Sequence, residues 1–170
     1  MATSRRGHHR AATTFTSLTL TEVRVLEQLA QGRDTAEAAG QLKISVGTFN
    51  GHVGSIGRKL HVGSRAAKVH AAIVTGELSR PARVEPPEDF GPDDVELWRA
   101  VATRSRPQEI ADAAGLSRAT TREAIRDLME RAGAKNETHL VVLGHAFGVI
   151  ATGEGVETPA VVVGASSGEK

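Results

Sequence analysis

Apolar residues recur at helical spacing in eight stretches of the chain, and nothing in those stretches asks for a sheet. Val23, Val25, Leu26 and Leu29 give the buried face of a first helix, which opens at Thr19 with Glu22 three positions on as a capping box and ends at Gly32. Asp34 with Glu37 repeats the device for a second helix carrying Ala38, Ala39 and Leu42. Lys43-Ile44-Ser45 then makes a tight turn with one apolar residue to bury, and its serine caps a third helix of about 46–60. Ser64 caps a fourth, running to about Glu77. Pro92, Asp93 and Asp94 form a good first turn for a helix of about 92–103, and Pro107 opens one of about 107–114. Ser117 and Asn136 stand at the starts of the last two, about 118–132 and 137–148.

The two groups of four resemble each other without a gap. At an offset of 72 residues Val23 falls on Val95, Ala30 on Ala102, Glu37 on Glu109, Ala39 on Ala111, Ser45 on Ser117, Thr48 on Thr120 and Val69 on Val141. Glu22 with Asp94, Val25 with Leu97, Ile44 with Leu116 and Val53 with Ile125 are conservative matches in the same register. One register kept over sixty residues predicts a tandem duplication. The expected organisation is a flexible basic arm over 1–17, a first unit over 18–78, a linker over 79–91, a second unit over 92–150 and a disordered tail over 151–170. Pro81, Pro86 and Pro87 forbid a helix through the linker and stiffen it.

Composition narrows the function classes. With no cysteine in 170 residues, disulfide frameworks and thiolate zinc sites are excluded. The absence of a long apolar run or a secretory leader points to a cytoplasmic, nucleoid-associated protein with no membrane partner. Four Phe, one Trp and no Tyr are poor material for stacking single-stranded bases. Net charge is only +1, but residues 18–78 hold seven Lys/Arg against five acids, whereas 92–150 hold eight against nine. Sixteen of the basic residues are Arg and five Lys, a bias that suits forked contacts to phosphate and guanine and equally suits a GC-rich genome.

No enzyme, cofactor or metal site is expected. The seven histidines never pair at ligand spacing, and Ser45 and Ser117 read as helix caps without a base beside them. Gly51-x-x-Gly54-x-x-Gly57 follows no strand and lacks the lysine of a phosphate loop. Trp98, in line with Val95, Leu97 and Val101, reads as core.

A short helix, a three-residue turn and a longer helix with a polar face is a helix-turn-helix, whose second helix enters the major groove of DNA. Leu18-Thr19, Glu22, Val25-Leu26, Glu37, Ala39, Leu42, Ile44-Ser45, Thr48, His52-Val53, Ile56, Lys59-Leu60, Val62, Ser64-Arg65 and Val69 resemble the LuxR/NarL-type (GerE-type) DNA-binding domain from end to end. The second unit keeps Glu109-Ile110-Ala111, Leu116-Ser117 and Thr120 and resembles a divergent copy, with Ala132-Gly133-Ala134 in place of Leu60-His61-Val62. The resemblance implies an all-α protein of two tandem four-helix units acting as a sequence-specific, double-stranded DNA-binding transcriptional regulator. With seventeen residues ahead of the first unit, neither the phosphoacceptor nor the autoinducer-binding domain usual in that family is expected.

The resemblance also places the recognition helices at 46–60 and 118–132, with Thr48, Asn50, Gly51 and His52 in the first and Thr120, Arg122, Glu123 and Ala124 in the second on the groove and phosphate sides. Arg118, Arg122 and Arg126 recur every four residues and line one face, with Thr121 beside them; that face is either a phosphate row or a solvated surface paired with Glu123, Asp127 and Glu130. In the first helix Gly47, Gly51, Gly54 and Gly57 leave a bare surface. Either DNA approaches it closely, with Asn50 reading adenine and Arg58, Lys59, Arg65 and Lys68 on phosphates, or another helix packs there. Ala71, Ala72 and Ile73, with Val141, Val142, Leu143 and Phe147, offer a fourth-helix face for a homodimer or an intrachain pseudo-dimer. Two alternatives stay open: an RNA polymerase- or protein-binding accessory factor, and a plasmid or phage DNA-maintenance protein.

Overall fold

The computed structural model describes residues 17–151; most of the expected arm and tail lie outside the described residues. Among these residues there are eight α-helices and no strand: α1 (Leu20–Ala30), α2 (Thr35–Leu42), α3 (Val46–Leu60), α4 (Arg65–Thr75), α5 (Pro92–Thr103), α6 (Pro107–Ala114), α7 (Arg118–Ala132) and α8 (Glu137–Phe147). The bounds of α2, α3 and α4 reappear 72 residues later as those of α6, α7 and α8. Three expected ends differ. α1 stops at Ala30, because the N–H of Gln31 closes on Glu27 O, that of Gly32 closes on Leu29 O and Gly32 turns left-handed; α4 stops at Thr75 and α8 at Phe147, each before a left-handed glycine, Gly76 and Gly148.

Each helix begins where its side chains can satisfy the free N–H groups of a first turn. The Thr19 hydroxyl accepts from Glu22 N–H at 3.2 Å while the Glu22 carboxylate accepts from Thr19 N–H at 2.7 Å. Asp34 and Glu37 form the same reciprocal pair. Ser45, Ser64, Ser117 and Asn136 each accept from the backbone three residues on. Left-handed residues end the short helices α2 and α6, Lys43 in one and Gly115 in the other, so the chain turns at once into α3 and α7.

Two apolar clusters form the interior. Val25, Leu26 and Leu29 of α1, Phe49, Val53 and Ile56 of α3, and Val69, Ala72 and Ile73 of α4 close the first. Leu97, Trp98 and Val101 of α5, Ile125 and Leu128 of α7, and Leu140, Val141 and Phe147 of α8 close the second. Trp98 is fully buried, as its apolar neighbours predict, and its indole N–H donates to Leu140 O at 2.7 Å. An acid on the first helix of each half braces the far end of the long one: Lys59 Nζ lies 2.7 Å from Glu22, and Arg131 lies 2.5 Å from Asp94. These partners too stand 72 residues apart in sequence.

The halves meet along α4 and α8, with α5 against α4 and α1 against α8. The contacts are reciprocal. Ser64 Oγ donates to Arg104 O at 3.4 Å, and Asn136 Nδ2 donates to Gly32 O at 3.0 Å, so each fourth-helix cap touches the same loop of the other half. Ala66 joins the second cluster and Val142 packs on the first. The fourth-helix face expected for dimerisation is thus occupied within the chain. His70 and His145 also cross this seam, stacked with Nδ1 and Nε2 3.0 Å apart.

The 79–91 segment is not a free tether. Val84 N–H donates to Ala146 O at 3.0 Å, Phe90 packs edge-on against Trp98, and Glu88 bonds Arg131 at 2.7 Å.

Two buried sites make stability fall with acid. Burial pushes the His145 imidazole down to about 4, aided by His70 and Arg80, and burial lowers His70 as well. Both stay neutral in the fold while the unfolded chain takes up protons, so stability drops as pH falls from about 6.5 toward 4. Glu22 behaves differently. Burial alone would raise it, but bonds from Lys59, Ser55 and the Thr19 backbone outweigh burial and hold it at about 2. Its contribution, about 3 kcal/mol, is present above pH 4.5 and lost toward pH 2. Thermal melts across pH should show both losses, with Glu22→Gln removing the lower and His145→Leu reducing the upper; unchanged profiles would contradict these assignments.

The glycines of α3 divide by surroundings. A Cβ on Gly51 would meet nothing within 4 Å, whereas one on Gly57 would lie 2.6 Å from Lys68 Cε and 2.9 Å from Val62 O. Gly51→Ala is therefore expected to stabilise by up to about 1 kcal/mol, and Gly57→Ala to destabilise despite the better helix propensity. Denaturant unfolding checks both signs.

Candidate nucleic-acid interface

In both halves a short helix, a left-handed turn and a fifteen-residue helix make a helix-turn-helix. In α3 the buried positions Phe49, Val53 and Ile56 fix one side against α1 and α4, leaving Val46, Gly47, Thr48, Asn50, Gly51, Gly54 and Arg58 exposed. No other helix covers the Gly51 position, so the bare surface faces outward. His52 is half-buried. Asn50 is held by its neighbour: Arg65 Nη2, on the first turn of α4, donates to Asn50 Oδ1 at 3.3 Å.

In α7 the buried positions Thr121, Ile125 and Leu128 leave Arg118, Thr120, Arg122, Glu123 and Arg126 exposed. None of the three arginines has an ion-pair partner among the described residues. The acids expected to pair with them are not all idle: Asp127 bonds Arg131 at 2.9 Å, and Arg131 also takes Glu88 and Asp94. Arg118, Arg122 and Arg126 line a groove of about 350 Å³ whose floor is Pro107, Ile110, Ile125 and Met129. A second hollow, of about 620 Å³, lies at the meeting of the halves and is lined by Arg33, Arg65 and Lys135. The two adjoin through shared walls at Ser64, Met129 and Glu137. Asn50 thus connects through Arg65 to this central hollow, which adjoins the groove of the α7 arginines.

Three residues expected on DNA are engaged internally. Lys59 is tied to Glu22, which is 3% exposed in its side chain. Lys68 is buried, with its ammonium on Gly63 O. Thr121 is buried, its hydroxyl donating to Ser117 O at 2.7 Å. Thr120, by contrast, is exposed, its hydroxyl 2.8 Å from Ser117 Oγ as Thr48's is from Ser45 Oγ. The basic residues around the central hollow, Arg33 and Lys135, were not among the expected contacts. They lie on loops between helices, where periodicity assigns no face.

Among the described residues no helix is long and apolar enough to cross a membrane. No curated protein and no solved structure matches the chain. Residues 16–72 match the family model of the bacterial regulatory proteins, luxR family, so this third of the chain is similar to the helix-turn-helix domain of those DNA-binding transcription regulators.

Proposed function

We propose that the protein is a sequence-specific transcriptional regulator of double-stranded DNA in which α3 and α7 enter the major groove and residues 92–150 act as a second, divergent luxR-type unit. The observation that carries this reading is the exposed row of Arg118, Arg122 and Arg126, which has no ion-pair partner among the described residues. A solvated surface helix with acids one turn away would pair such residues; a row left open suits phosphate oxygens and guanine edges. The repeated helix bounds, caps and acid–base braces at one offset support a shared descent for the two units. The reciprocal seam supports a single chain working as its own pseudo-dimer, since two half-site readers about one helical turn apart are what such a pairing presents.

In this reading Asn50, Thr48, Gly51 and His52 of α3 and Thr120, Arg122 and Arg126 of α7 face the groove. Arg58, Arg65 and Arg118 neutralise phosphates. Lys59, Lys68 and Thr121 hold the fold.

The Arg118→Ala/Arg122→Ala/Arg126→Ala variant tests it by fluorescence anisotropy on selected duplex. Affinity should fall roughly a hundredfold at fixed salt, and the slope of log K against log salt should shrink by about one for each phosphate no longer neutralised. Lys59→Ala should lower the melting temperature, whereas the arginine variant should leave it nearly unchanged. Equal affinity of wild type and variant for duplex would overturn the reading. Binding without sequence preference would favour a DNA-maintenance role, and co-purification with polymerase in the absence of promoter DNA would favour an accessory factor.

A further inference from the structure

The two helices that the proposed function places in the groove occupy matched positions at the 72-residue offset, on halves whose fourth-helix caps make reciprocal contacts, yet their exposed chemistry differs at almost every step. Where α3 has Val46, Asn50 and Gly54, α7 has Arg118, Arg122 and Arg126 at the same offset. Where Arg65 follows the Ser64 cap in the first half, Glu137 follows the Asn136 cap in the second, so even the charge beside the key position is inverted.

We infer that the chain reads an asymmetric duplex site of fixed polarity, with a guanine-bearing half under α7 and an adenine-bearing half under α3. The inference rests on the DNA-binding reading and assigns its specificity. A guanidinium offers two parallel donors that match guanine O6 and N7, and Arg122 and Arg126 are exposed and, although Glu137 lines the same groove, neither makes an ion pair among the described residues. Asn50 is suited to adenine. One lone pair of its Oδ1 accepts from Arg65, which sets the amide plane; the other lone pair is free for adenine N6–H, and Nδ2 is free to donate to N7. Gly51 and Gly54 beside it carry no side chain that reaches a base, and the open space over Gly51 lets the helix backbone approach closely. Two copies of one chain joined by a two-fold axis would present identical readers and select a palindrome. Here the seam that would join two copies is closed inside one chain, so two unlike readers are held in one order.

Selection of bound sequences from a random duplex library by the full chain at fixed salt tests this directly. The expected motif has guanines in one half, adenine in the other, and centres about 10 base pairs apart, with no inverted repeat. Arg122→Ala should relax only the guanine half and Asn50→Ala only the adenine half, each by roughly 5- to 150-fold against the preferred base. Both sites are exposed, so both variants should keep the wild-type melting temperature. A palindromic motif, a motif with a single half, or relaxation of the same positions by both substitutions overturns the inference while leaving DNA binding intact. Recovery of no motif at all overturns the proposed function beneath it.

Discussion

Everything the long helices present to solvent depends on a carboxylate that each receives from the first helix of its own half. Glu22 holds Lys59 and Asp94 holds Arg131. In each pair the base sits in the last turn of α3 or α7, where a cation also suits the helix dipole, and the acid sits in the first turn of α1 or α5, where an anion does. The brace fixes the far end of the long helix while the short helix and its left-handed turn fix the near end. What remains free is the exposed face between them. The first brace is buried enough for its loss to be costly, and the second compensates for greater exposure with three carboxylates on one guanidinium.

The seam follows from size. A four-helix unit of about sixty residues buries only about 60% of its extended-chain surface, so each half gains from the other's fourth helix. Ala66 and Val142 each cross to the partner cluster, and small residues on α4 let α8 come close. The same closure ties α3 to α7 through α4 and α8.

Much of this was legible in the sequence. Helices α3, α5, α6 and α7 have the expected bounds and α2 opens at its expected cap, because each carries a capping residue or an N-terminal proline at its start and an apolar face at one spacing. The fate of individual cations was not legible. Periodicity places Lys59 and Lys68 at helix edges but is blind to a partner on another helix, so both look like surface charges until Glu22 and the Gly63 carbonyl are seen beside them. A signal for Lys59 did exist: an acid at 22 and 94 and a base at 59 and 131 recur together at the repeat offset. Thr121 adjoins the arginine row in sequence yet turns inward, since a residue one step from an exposed position lies about 100° round the helix. The proline segment showed where helices end, but its anchoring by Val84, Phe90 and Glu88 involves residues too sparse to form a pattern.

If the protein works as proposed, one chain spans both halves of its site. The mass of the complex in solution, measured by analytical ultracentrifugation with a selected duplex and paired with a hydroxyl-radical footprint, tests it most directly. One chain per duplex and protection on one face over two successive major grooves, about 34 Å apart, are expected. Two chains per duplex, or protection confined to a single groove, would contradict it.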